Sequence, residues 1–165
     1  MSKLEKTAQL QIRVSHRQKA AVQRAAQRAG MDMSCYVLSR VLSAAADRFQ
    51  DCTRGCASAS PPSFALAELN TLLSGLSGAE LREAVAVAPT ATLSPFLTNY
   101  VAAMVEYACA RRALAAPAWT RAIEPLADPA FGSELQSLRL HLLTHSPPPF
   151  RRRNIFIDSS IGRQV

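Results

Sequence analysis

The sequence predicts a mostly α-helical chain in two parts. A strand-helix-helix unit that only a second copy completes comes first, and a small α-helical domain with an extended C-terminal tail comes after it. Three observations carry this. "LQIRVS", residues 10–15, alternates apolar and polar side chains at period two, as a half-buried strand does. Apolar residues then recur at helical spacing through most of the chain. Finally, Gly, Ser and Pro collect in "QDCTRGCASASPPSF" and mark a boundary near residues 51–63.

The strand poses a problem. Nothing else in the first 60 residues has strand character, so its backbone donors and acceptors would go unpaired. Either 10–15 is not a strand, or its partner lies in another chain. The next segment is plainly helical. Ser15 and Gln18 have capping-box spacing, "HRQKAAVQRAAQRAG" repeats small apolar residues at helical spacing (Ala21, Val22, Ala25, Ala26, Ala29), and Gly30 ends it. Ser34 or Asp32 can cap a second helix, "CYVLSRVLSAAADRF", with Tyr36, Val37, Val41, Leu42 and Ala45 on its apolar face. One strand and two alanine-rich helices bury too little to stand alone. Two copies solve both difficulties, with the strands paired antiparallel over four helices. Leu10, Ile12 and Val14 then face the shared core, and Gln9, Gln11 and Arg13 point outward. A two-stranded ribbon fits the DNA major groove, where amide and guanidinium groups read base edges.

The stretch "LQIRVSHRQKAAVQRAAQRAGMDMSCYVLSRVLSAA" resembles the ribbon-helix-helix DNA-binding family. Within it, the stretch is similar to antitoxins with an "R-V-S-x-x-Q-K" junction and a "G-M-x-x-S-x-[YF]-V" turn. The likeness covers residues 7–46 and implies a homodimer through the N-terminal strand. It also implies base contacts from Gln9, Gln11 and Arg13, and phosphate anchoring by backbone amides near Ser34 and Cys35. One departure stands out. Such turns more often hold Ser or Thr where Asp32 stands, so the carboxylate either caps the helix facing away from DNA or weakens binding.

Charge supports the DNA reading. Residues 1–50 hold 9 Lys and Arg against 3 Asp and Glu, residues 51–150 hold 6 against 8, and residues 151–165 hold 4 against 1. The basic series Lys3, Lys6, Arg13, Arg17, Lys19, Arg24 and Arg28 should contact phosphates and make affinity salt-dependent. The blander possibility is a dimerisation module that binds no nucleic acid. No targeting or membrane-spanning stretch is evident, and the scattered cysteines form no disulfide framework. The expectation is a soluble cytoplasmic protein with reduced thiols.

The predicted organisation is a DNA-binding and dimerisation module over 1–50, a linker over 51–63, a helical partner-binding domain over 64–149 and a basic extended tail over 150–165. "FALAELNTLLSGLSGAELREAVAVA" reads as two short helices with a Ser-Gly break. "LSPFLTNYVAAMVEYACARRAL" is the strongest later helix, capped by Ser94 with Pro95 at its first position. "SELQSLRLHLLTH" reads as a helix stopped by Pro147, Pro148 and Pro149. No strand is expected in this middle region. Cys52 with Cys56 and His141 with His145 are each four apart, but they match no fixed zinc pattern, so no metal or other cofactor is expected. No nucleophile elbow, phosphate loop or metalloprotease helix appears, and no catalytic residue is assigned.

The tail "PPPFRRRNIFIDSSIGRQV" combines arginines with strand-like alternation. Phe150, Arg151, Arg152, Arg153, Ile155, Phe156, Ile157 and Asp158 suit addition to another protein's sheet edge or insertion into an acidic cleft. The alternative is a final strand folded on its own domain. "SLRLHLLTHSPPPFRRRNIFIDSSIG", "YVAAMVEYA" and "APAWT" are similar to antitoxins encoded beside abortive-infection nucleotidyltransferase-type toxins. That resemblance implies that residues 64–165 bind and neutralise a toxin.

The expected function is therefore an antitoxin that neutralises its toxin and represses its own operon through a ribbon-helix-helix dimer on operator DNA. The alternatives are a stand-alone ribbon-helix-helix regulator and a plasmid-mobilisation accessory protein that holds a relaxase at its origin.

Overall fold

The computed structural model describes residues 11–41 and 44–158. The chain divides into two compact units, Met1–Leu42 and Ser43–Val165.

In the first unit, residues 11–15 have no regular secondary structure in the single chain, and Gln9 and Leu10 lie outside the described residues. α1 (His16–Arg28) begins on the expected capping box. The Ser15 hydroxyl accepts from the Gln18 amide at 3.3 Å, and the Gln18 side chain accepts from the Ser15 amide at 2.9 Å. Gly30 leaves the helix at φ +65°, a conformation that a Cβ would strain. α2 (Met33–Val41) packs back on α1. Burial in this unit is scant. Ala26 is buried among the described side chains, whereas Ile12, Val14, Met31, Met33 and Leu38 are exposed.

The second unit holds a conventional core. α3 (Ala44–Ser58) runs straight through most of the expected linker, which corrects the domain boundary drawn at 51–63. The reason is periodicity: Phe49, Cys52, Thr53 and Cys56 fall at i, i+3, i+4 and i+7 and are all buried. Their burial outweighs the roughly 1 kcal/mol that a helical glycine such as Gly55 costs. Only residues 59–62 interrupt the helices before α4 (Ser63–Gly75). α5 (Gly78–Ala84) starts on a second capping box, Ser77 with Glu80.

α6 (Pro95–Ala110) is the central helix, capped by Ser94 as expected and buried nearly all round between Asn99 and Val105. Phe49, Leu69, Leu73, Leu81, Val101 and Val105 meet there in the core. α7 (Ala118–Arg121) is a single turn, and Trp119 on it donates its indole N–H to the Val85 carbonyl at 2.8 Å. The predicted helix over 133–145 is shorter than expected. A 3₁₀ turn, Gln136–Leu138, leads into α8 (Arg139–His145).

Two elements depart from an all-helical middle and an extended tail. β1 (Ala130–Phe131) pairs in parallel with β2 (Ile155–Phe156), Ala130 opposite Ile155 and Phe131 opposite Phe156. Between them, α9 (Pro148–Arg151) turns the chain back. Two-residue strands are too short to show an alternation, so β1 leaves no mark in the sequence. No helix among the described residues is long and apolar enough to cross a membrane.

Candidate nucleic-acid interface

The two groups of site residues predicted from the sequence meet different fates. On the DNA side, Gln11 and Arg13 are exposed, on the segment that leads directly into α1. At the turn between the helices, Asp32 rather than Ser34 is the cap. Its Oδ1 accepts from the Cys35 amide at 2.9 Å, and its carbonyl accepts from the Tyr36 amide at 2.9 Å. Ser34 is exposed within the first turn of α2, and Cys35 is half-buried. The Cys35 amide, expected to anchor a phosphate, is therefore already engaged by a carboxylate. An acidic cap at a helix N-terminus is favourable for the same reason that an anion is: the free amides and the helix dipole both attract negative charge.

α1 carries the positive charge. Arg17, Lys19, Arg24 and Arg28 are all exposed, and the chain has no Asp or Glu between Lys6 and Met31. Val22 and Ala26 lie on the side of α1 away from Arg17, Arg24 and Arg28 and are half-buried and buried, with Lys19 at the rim beside Ala26. This polarity makes the unit a basic surface laid on a thin apolar layer.

Residues 5–78 match a family model described as NikA-like, Mobilization protein NikA. The family is of the ribbon-helix-helix type, and the match fits a ribbon-helix-helix-like N-terminal region. It runs beyond α2, through α3 and α4, so the likeness extends into the second unit. It supports DNA binding. No curated protein and no solved structure matched the chain.

Half of the residues predicted to grasp a toxin are core. Phe150, Arg153, Ile155 and Ile157 are 3%, 5%, 1% and 3% exposed. Phe150 packs edge-on against Tyr100 with ring centroids 5.3 Å apart, and Phe156 stacks on Phe131 at 5.1 Å. The segment expected to add to another protein's sheet edge pairs within its own chain at β1, where the Ala130 amide donates to the Asn154 carbonyl and the Gly132 amide to that of Phe156. Ser146 Oγ donates to the Ile157 carbonyl at 2.7 Å and pins the end of the segment. Of the three arginines, Arg151 and Arg152 are exposed while Arg153 is buried. Asp158 lies 3.5 Å from His141 Nε2. The missed signal is the alternation itself: Ile155 and Ile157 mark a short strand and its continuation packed into the chain's own core, the alternative that the sequence leaves open.

The two pairs with metal-ligand spacing are far from equivalent. Cys52 and Cys56 are buried on α3, and burial pushes the Cys56 thiol up to about 11. His141 and His145 stack on the surface of α8 with ring centroids 4.1 Å apart.

Proposed function

We propose that the chain is a DNA-binding accessory protein of DNA mobilisation. Two copies pair through residues 10–15 to form a ribbon, and Gln9, Gln11 and Arg13 read base edges at a transfer origin. The observation that carries this reading is the mobilization-family match over 5–78, which coincides with the strand-like segment, the basic helix and the turn to α2.

The burial pattern supports dimerisation. Ile12 and Val14 are 59% and 51% exposed in the single chain, and a strand has no ladder without a partner. Covering those two side chains in each of two copies would contribute roughly 4 kcal/mol, at about 1 kcal/mol for each half-buried aliphatic. The antitoxin reading, in contrast, depends on a tail free to reach a toxin, and among its described residues Phe150, Ile155 and Ile157 are committed to the core.

The test is a mating assay joined to sedimentation. Deleting the gene from its replicon should lower transfer frequency, and the wild-type chain should restore it. Ile12→Lys with Val14→Lys should sediment as a monomer and fail to restore it. Transfer that is indifferent to the deletion would end the mobilisation reading and favour a stand-alone regulator.

A further inference from the structure

Resting on the DNA-binding reading, we propose a second phosphate-contacting surface on α1, distinct from the ribbon. Arg17, Arg24 and Arg28 form a stripe that grips the backbone of duplex DNA flanking the groove the ribbon enters.

Seven and eleven residues separate Arg24 and Arg28 from Arg17. At 3.6 residues per turn, all three therefore fall within about 20° of one line along α1. The stripe is about 16 Å long at 1.5 Å per residue. DNA carries one phosphate per roughly 3.4 Å of axis on each strand, so that length faces several successive phosphates. All three side chains are exposed, and among the described residues none forms a salt bridge. Exposed basic helices normally intersperse carboxylates, yet α1 has none. Ala21, exposed and lying between Arg17 and Arg24 on the same side, keeps the surface low so that a phosphodiester strand can approach.

Position gives the stripe its role. The Ser15 cap joins α1 directly to the ribbon segment, so Arg17 lies in the first turn after it and Arg24 and Arg28 lead away. Guanidinium forks suit phosphate oxygens in two-pronged contact. Such contacts hold register on the duplex and carry no sequence information. The ribbon selects the site, and α1 extends the footprint.

Because the contact is independent of sequence, a mixed-sequence duplex serves as the probe. Affinity of the full chain is measured across a salt series. Three contacts in each of two copies, at about 0.9 each, give the wild type a slope of log affinity against log salt steeper by about 5 than that of Arg17→Gln/Arg24→Gln/Arg28→Gln. The corresponding triple Lys variant should keep the wild-type slope, since it retains the charge. Glutamine forms helices well, so α1 should persist, as circular dichroism would verify. If the Gln variant flattens the slope by less than half the expected amount while the wild type binds, the α1 stripe faces something other than DNA and the proposal is overturned. If the wild type binds no duplex at all, the DNA-binding reading itself falls.

Discussion

The Asp32 carboxylate sits 2.9 Å from the Cys35 amide, at the helix end where a phosphate was expected to dock. One anion thus stands where another would bind. The two demands on this residue can be separated by substitution. Asp32→Ser keeps a side-chain oxygen for the cap and removes the charge, so stability should change by only a few tenths of a kcal/mol. DNA affinity should rise, because a carboxylate no longer repels the backbone. Asp32→Ala loses the cap and should cost about 1 kcal/mol. Thermal melts beside salt-matched DNA titrations check both halves, and an Asp32→Ser chain that binds more weakly would show that the carboxylate helps instead of hindering.

A second prediction concerns the thiols. Cys35 is half-buried, while Cys52, Cys56 and Cys109 are buried, with pKa values raised chiefly by desolvation and reaching about 11 at Cys56. The thiolate is the reactive form. At pH 8 a thiol reagent should modify one cysteine per native chain quickly, at Cys35, and all four only after denaturation. The raised values also fix a direction for stability. Above the ordinary thiol range the unfolded chain has lost protons that the folded chain keeps, so stability is full below about pH 8.5 and declines as pH climbs towards 11. Urea midpoints at pH 8 and pH 10 measure the decline. Cys56→Ser would not reproduce the pH dependence, since the hydroxyl does not titrate there.

How far the fold is legible in the sequence depends on the range of the forces involved. Caps are local, so Ser15 and Ser94 announce α1 and α6 within a few residues. Amphipathic spacing is also local, but composition obscures it in α3, where Gly55 and the serines near it suggest a linker and hide the stripe of Phe49, Cys52, Thr53 and Cys56. The fate of the tail is not local. Arg153 reads as one of three equivalent arginines in "RRR", and only the fold sets it apart, by bringing Asn99, Glu106 and Thr120 to it from elements more than thirty residues away. The basic face of α1 is visible in the sequence as a set of residues. Its alignment into a stripe requires the helix bounds.

Arg153 supplies the last prediction. Its guanidinium is 5% exposed and donates to Glu106 Oε1 at 2.6 Å, to the Thr120 carbonyl at 2.6 Å and to Asn99 Oδ1 at 3.1 Å, while its Nε has no partner. Arg153→Ala would strand the Glu106 carboxylate, which is 16% exposed, and should cost roughly 3 kcal/mol or more. Removing both charges is a different experiment. Arg153→Met with Glu106→Gln leaves no uncompensated ion and should recover most of that loss, because a buried pair stabilises little against an apolar replacement. The exposed pair of Arg54 and Asp51 provides the contrast, with side chains 63% and 66% exposed. Asp51→Asn should change stability by less than about 0.5 kcal/mol. Trp119 is the chain's one tryptophan and is anchored to Val85 within the same unit, so its fluorescence reports this unit's unfolding in urea. An Arg153→Ala midpoint equal to that of Asp51→Asn would mean that the tail strand is held by its apolar side chains and backbone pairing alone.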